Sequence, residues 1–171
     1  MKKLAVVLFV LLTGLSLNLF AQAEKGMMEF SLNGPLLLKS TEADITMLAP
    51  TAQIGYFTSN AFELGGTFGL LSYGRGSNSS DGFILGVNGQ CHFSMKKKTW
   101  PFAGIGFTAN LGEYFERFDK HPMQIEGRLG LKYWPMEGGA IVINGFFTRQ
   151  FPEPFKENYW GIDLGVLIRI K

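Results

Sequence analysis

The stretch from Met123 to Tyr133, MQIEGRLGLKY, alternates between two kinds of residue at every step. The odd-numbered positions are Met, Ile, Gly, Leu, Leu and Tyr, and the even-numbered positions are Gln, Glu, Arg, Gly and Lys. On a helix these charges would point in all directions, whereas on a strand they share one face. The stretch therefore predicts a β-strand with one apolar and one polar face.

The same period of two recurs through the chain after its first 24 residues. The clearer segments reach the roughly 9–11 residues that a tilted transmembrane strand needs. Together with 123–133, the segments that alternate are 28–32, 52–56, 62–70, 83–93, 103–109, 141–147 and 160–170. The sequence therefore predicts an all-β fold with eight strands.

Long and short connections follow one another in turn between these segments. Long polar stretches are expected at 34–47, 73–81, 112–121 and 150–158, and short turns at 58–60, 96–98 and 135–138. Outer-membrane barrels have short periplasmic turns and longer external loops. The rhythm predicts an antiparallel up-and-down barrel with both chain ends on the side of the short turns.

The N-terminus has the three parts of a secretory signal peptide. Lys2 and Lys3 precede an apolar run, and Ala21-Gln22-Ala23 has the small-x-small form of a cleavage site. We therefore expect a cleavable signal peptide over 1–23 and one barrel domain over 24–171, with no further domain. No later apolar run is long enough for a membrane helix, so a membrane location requires a closed barrel.

The composition excludes some classes of function. A formal net charge of +2 and the lack of a basic stripe argue against nucleic-acid binding. Charged residues make up 18% of the chain, which is low for a soluble domain. The single cysteine, Cys91, cannot form an internal disulfide and is interpreted as a small apolar residue on a buried face.

The apolar face could point to lipid, or inward as in a soluble periplasmic lipocalin-like binder. Lipid is favoured because the apolar face carries essentially no charge and the polar face is mostly Gly, Ser, Thr, Asn and Gln. Aromatic residues also gather near strand ends, where interfacial girdles lie. The predicted interfacial aromatics are Tyr56, Phe62, Tyr73, Trp100, Tyr133, Trp134, Tyr159 and Trp160.

The polar face carries opposing charges, four acidic and three basic, and the interior of an eight-stranded barrel is just wide enough to be filled by side chains. We therefore expect paired charged side chains to close the lumen. The alternative is that these charges line an ion path. The predicted lumen network consists of Glu29, Glu63, Glu126 and Asp163 with Arg128, Lys132 and Arg169.

The mature chain resembles the small outer-membrane β-barrel superfamily that includes the OmpA transmembrane domain and OmpX-like proteins, in particular the compact Bacteroidetes-type barrels. The segments 100–107, WPFAGIGF, and 130–135, GLKYWP, are similar to strands of that superfamily. Its C-terminal assembly signal is matched by Asp163, Gly165, Ile168 and Ile170, although this chain ends in Ile170-Lys171 where the superfamily usually has an aromatic residue. The resemblance implies residence in the outer membrane, with its lipid and the barrel-assembly machinery as partners.

One pair of residues is a candidate for catalysis. His92 and Ser94 lie two apart on one strand, and this His-x-Ser pattern resembles the motif of lipid A 3-O-deacylases. Glu113 and Glu116 are possible acidic partners, but neither has the expected spacing. His121 next to Asp119 makes a poor metal site, and no cofactor site stands out.

The sequence therefore predicts an outer-membrane barrel with a structural or surface-interaction role and no catalysis. An external ligand or protein is expected to bind at loops 112–121 and 150–158. The alternatives are a lipid A-modifying barrel enzyme that uses His92 and Ser94, and the soluble binder.

Overall fold

The computed structural model describes residues 25–40, 45–75, 78–93, 98–112, 122–151 and 158–170. Side chains are described for these residues except 36–48 and 73–80. The strands are β1 (Met28–Ser40), β2 (Ile45–Leu48), β3 (Thr51–Phe57), β4 (Phe62–Arg75), β5 (Asn78–His92), β6 (Thr99–Leu111), β7 (Met123–Met136), β8 (Gly139–Phe151) and β9 (Asn158–Ile170). No helix long and apolar enough to cross a membrane occurs among these residues.

The strands form one closed antiparallel sheet. Each strand from β4 onward pairs with the next, and β1 pairs with β9 on one side and with β3 on the other. The short strands β2 and β3 count as one, because both lie along β4 in the same register, with Leu48 opposite Ser72 and Thr51 opposite Gly69. The predicted eight-stranded barrel is confirmed.

The apolar face of each strand points outward. On β7, Leu129 is 70% exposed and Lys132 is 3% exposed. They lie three positions apart, and residues an odd number of positions apart point to opposite faces of a strand. The same alternation holds on β9, where Val166 is 59% exposed and Leu167 is buried. The barrel is thus apolar outside and polar through most of its interior.

Two predicted loops turn out to be mostly strand. β1 extends to Ser40 and β2 begins at Ile45, within the range predicted as a loop over 34–47. β4 extends to Arg75 and β5 begins at Asn78, within the predicted loop over 73–81. Polar composition suggested loops here, but a continued ladder pairs the backbone N–H and C=O groups whether the side chains are polar or not.

The short connections lie at one end of the barrel, together with the first strand's beginning and the last strand's end. Met28 of β1 lies opposite Ile170 of β9 at this end. The turn between β7 and β8 contains Gly138, whose φ of 85° favours glycine. We call this end the short-turn end and the opposite one the long-loop end.

Candidate functional site: the barrel interior

The interior at the short-turn end is filled by apolar side chains. Four aromatic residues, Phe57, Trp100, Phe102 and Trp134, are each at most 7% exposed and come from three different strands. They cluster with the buried side chains of Met27, Ala140, Val142 and Leu167. We call these eight residues the aromatic plug.

Two cations lie against the rings of the aromatic plug. The guanidinium carbon of Arg169 lies 4.5 Å from the Trp100 ring centroid and 4.0 Å from that of Trp134. The ammonium of Lys132 lies 5.9 Å from the centroid of Phe57 and 5.6 Å from that of Phe102. These distances allow cation–π attraction, which is stronger in a desolvated site.

Lys132 is also the centre of an ion-pair network. Its Nζ donates to Glu29 Oε2 at 2.5 Å and to Glu63 Oε2 at 3.0 Å, and all three residues are at most 4% exposed. Arg169 Nη2 lies 3.8 Å from Glu29 Oε1. Two cations therefore face two carboxylates across the lumen. Their mutual attraction offsets the free-energy cost of desolvating each charge.

His92 is enclosed beside this network. Its Nε2 lies 2.8 Å from Glu63 Oε2, and its ring lies between those of Phe57 and Phe102, at centroid distances of 5.0 and 5.9 Å. The residue is 0% exposed. The other half of the predicted catalytic pair, Ser94, lies outside the described residues, as do Glu113 and Glu116.

A glycine makes room for the Glu63 carboxylate. Gly55 faces the interior on β3, and a Cβ placed there would overlap Glu63 Oε1. The Glu63 side chain therefore lies over the bare backbone of Gly55 as it extends towards Lys132. This close approach explains why a glycine occupies an interior position next to a buried charge.

The remaining predicted lumen charges form a second group closer to the long-loop end. Arg128 Nε donates to Glu126 Oε1, and Thr148 donates to Glu126 Oε2 at 3.0 Å. Asn144 Nδ2 donates to Asp163 Oδ2 at 3.3 Å. All seven predicted network residues thus face the interior, but they form two groups and not one.

Small cavities lie beside these groups. One of about 20 Å³ lies next to Lys132, Glu29 and Arg128. Another of about 60 Å³ lies on the long-loop side of Arg128. The first has room for about one water and the second for about four.

The prediction of an interfacial girdle is wrong for three aromatic residues. Trp100, Trp134 and Tyr159 are 6%, 7% and 3% exposed and point into the barrel. The alternation of their own strands places them there: Trp134, for example, follows Lys132 by two positions. Tyr56, Phe62, Tyr133 and Trp160 do face outward, with exposures of 37–47%, and the side chain of Tyr73 lies outside the described part.

The position of Cys91 also differs from its interpretation as a buried residue. Its side chain is exposed, because β5 turns Cys91 outward together with Phe83, Leu85 and Val87. A residue on the apolar face of this barrel is not in a core. Sequence alternation identified its face correctly, but the assignment of that face to a buried environment was wrong.

The proposed assembly-signal residues alternate as predicted on β9. Ile168 and Ile170 are 54% and 49% exposed on the outer face, whereas Gly165 is buried and Asp163 points inward. A Cβ at Gly165 would overlap the side chain of Asn33. Glycine is therefore required at this position by the close packing of β9 against β1, independently of any recognition role.

The fold is that of the small outer-membrane β-barrels. The chain is similar in structure to Neisserial surface protein A, NspA, with a TM-score of 0.66 and 9% identity over 86% of this chain and 98% of that one. It is also similar to the N-terminal β-barrel domain of Pseudomonas aeruginosa OprF, with a TM-score of 0.61 and 17% identity over 85% and 98% of the two chains.

A third similar structure is the outer membrane protein OprG from Pseudomonas aeruginosa, with a TM-score of 0.53 and 11% identity over 88% of this chain and 99% of that one. No protein-family model and no curated protein sequence matches the chain. At these identities the likeness establishes the architecture.

Proposed function

We propose that this protein is an integral outer-membrane β-barrel with a structural or surface-interaction role, a closed lumen and no catalytic activity. It is expected to reach the membrane through a signal peptide over 1–23 and the barrel-assembly machinery. Membrane lipid is then its partner on the outside of the barrel.

The observation that carries the membrane location is the apolar belt around the barrel. Residues such as Leu64, Ile105, Leu129 and Val166 are 49–70% exposed on strands spread around the whole circumference. On the strands, the exposed charged side chains that the structure describes are Asp81 and Arg149, both towards the long-loop end. A soluble lipocalin-like barrel would need its apolar face inside and its polar face outside, because soluble proteins rarely expose an apolar surface of this extent to water.

The closed lumen is supported by the aromatic plug and the network around Lys132. Buried rings and paired charges fill the short-turn end, and the two interior cavities have room for only a few waters. An ion path is therefore the less favoured alternative.

The absence of catalysis is supported by the enclosure of His92. Its ring is 0% exposed and hydrogen-bonded to Glu63. A lipid ester would therefore have to displace the aromatic plug to reach it. A general base must lie within hydrogen-bond reach of its substrate. The lipid A-modifying alternative predicts that the lipid A acyl pattern changes with expression of the protein, whereas we expect no change by mass spectrometry.

The interaction role is assigned to the long-loop end. The loops expected to contact an external ligand or protein, 112–121 and 150–158, lie for the most part outside the described residues. What supports this assignment is the aromatic plug, which fills the barrel at the opposite end.

Fractionation tests the proposal directly. We expect the protein in the detergent-extracted membrane fraction, with a band that migrates differently before and after boiling in SDS, as folded barrels do. Release by osmotic shock without detergent, or a band unaffected by boiling, would refute the membrane location.

A further inference from the structure

Three asparagines of the barrel interior are each followed by a glycine. The pairs are Asn33-Gly34 on β1, Asn88-Gly89 on β5 and Asn144-Gly145 on β8. An Asn-Gly pair is usually the signal for a tight hairpin turn. Here each pair lies within a strand that continues on both sides of it, so none of the three marks a turn.

An Asn-Gly pair is chemically labile in a flexible chain. The backbone nitrogen of the glycine attacks the asparagine Cγ and ammonia leaves, which gives a succinimide. Water then opens this ring to aspartate or isoaspartate, so the net change converts an amide and water into a carboxylic acid and ammonia. Glycine favours the ring closure because it has no side chain to hinder the attack and the freest backbone of all residues.

The folded barrel protects Asn144 from this reaction. β8 pairs with β7 and β9 along this stretch, with Gly145 opposite Leu129 on one side and Ile162 on the other. The two ladders hold the backbone polar groups of the strand. Asn144 is also only 3% exposed, which limits the access of water. Deamidation at this position therefore belongs to the unfolded chain.

Two of the three asparagines donate to hydroxyl groups. Asn33 Nδ2 donates to Ser31 Oγ at 3.0 Å, and Asn88 Nδ2 donates to Thr67 Oγ1 at 2.9 Å. A hydroxyl both donates and accepts, so it can turn and donate to a carboxylate that replaces the amide. Aspartate at position 33 or 88 would therefore keep a hydrogen bond to the same partner.

Asn144 donates instead to a carboxylate. Its Nδ2 lies 3.3 Å from Asp163 Oδ2, and an ionised carboxylate has no proton to donate. Aspartate at position 144 would bring two carboxylates together, where like charges repel. Arg128 already donates to Glu126, so this cation would face a third carboxylate. Isoaspartate would in addition lengthen the backbone and disturb the alternation of faces along β8.

We propose that Asn144-Gly145 is a deamidation site of the unfolded chain and that the barrel interior rejects the product. A chain that stays unfolded long enough to lose this amide no longer completes the barrel, whereas aspartate at position 33 or 88 is accepted. The contact between Asn144 and Asp163 thus distinguishes intact chains from aged ones. The proposal depends on the folded barrel alone and not on the membrane location, the closed lumen or the loops.

The first experiment ages the mature chain in guanidinium chloride at mildly alkaline pH and then refolds it in detergent micelles. Folded and unfolded bands are separated without boiling, and mass spectrometry of their peptides distinguishes asparagine, aspartate and isoaspartate. We expect aspartate at all three positions in the unfolded band, and about tenfold depletion at position 144 alone in the folded band. Equal aspartate at position 144 in both bands, or equally fast deamidation there in protein kept folded, would overturn the proposal.

Substitutions separate the lost hydrogen bond from the ageing reaction. Asn144→Asp is expected to abolish the folded band, whereas Asn88→Asp, the matched control, should retain it. Asn144→Asp combined with Asp163→Asn restores an amide–carboxylate pair and should recover folding. Normal folding of Asn144→Asp alone, or no recovery in the double variant, would refute the role of this contact.

Gly145→Ala tests the chemistry without changing the interior. A Cβ at Gly145 would lie 3.9 Å from the nearest backbone oxygen, so the barrel has room for it. The methyl group hinders ring closure, and aged chains of this variant should keep more of their folding yield than aged chains of the unaltered protein. Loss of yield at the same rate in both would contradict deamidation at this pair.

Discussion

Lys132 joins two buried carboxylates of the barrel interior, those of Glu29 and Glu63. Replacing it with methionine keeps much of its volume but removes the ammonium that donates to both Glu29 and Glu63. Loss of one partner from a buried ion pair costs about 3–5 kcal/mol. We expect Lys132→Met to lower the free energy of unfolding by that amount, measured by urea titration in detergent micelles.

Lys98 gives the matched control for this substitution. It is exposed in the short connection before β6, so Lys98→Met should change stability by no more than about 0.5 kcal/mol. If both variants unfolded at the same urea concentration, the network around Lys132 would not stabilise the barrel.

Gly55 provides a second test at the same scale. Gly55→Ala would push the Glu63 carboxylate away from Lys132, and we expect a loss of about 1–3 kcal/mol. Gly127→Ala is the control, because a Cβ at Gly127 has open space on the outer face. In the Lys132→Met background the effect of Gly55→Ala should shrink, since neighbouring substitutions are not additive; full additivity would contradict the coupling.

At the scale of the strand, sequence alternation predicts faces well because it is a local property. The inward and outward positions of β7 and β9 follow from their residues alone, and so does the inward position of Lys132. The contacts of Lys132 do not, because Glu29 and Glu63 are 103 and 69 residues away. They depend on strand register, which no single segment contains.

Two failures have the same local origin. Trp100 and Trp134 were predicted in the girdle because they lie near strand ends. The alternation of their strands, which places them inside the barrel, predicts their position correctly. The last residues of β1 and β4 were predicted as loop. Polar residues between the apolar belt and the long-loop end can continue a strand as readily as they can form a loop.

β9 supports a prediction about assembly. Ile170 faces outward at the end of the chain's last strand, where the superfamily that this chain resembles usually has an aromatic residue. We expect Ile170→Phe to increase the fraction of protein that reaches the folded, boiling-sensitive form in cells. Ile162→Phe, on the same face but earlier in β9, should not, and an equal gain from both would remove any special role of the terminal position.

For the whole molecule, the proposed closure of the lumen predicts the absence of stable conductance steps in planar lipid bilayers. Trp100→Ala combined with Trp134→Ala removes two large rings from the aromatic plug, and we expect this variant to show measurable current. Trp160→Ala, which removes an outward ring, should remain silent. Equal conductance of the unaltered protein and the double variant would refute closure by the plug.

The contacts of Lys132 have a consequence for the order of folding. They join β7 to β1 and β4 across the lumen, so they need strands from both halves of the chain to have met. Contacts of such long sequence separation form late, after the entropy of closing the chain has been lost. Substitutions at Lys132 should therefore accelerate unfolding far more than they slow folding. The interior charges would then lengthen the lifetime of the folded barrel by slowing unfolding, with little influence on the rate of folding.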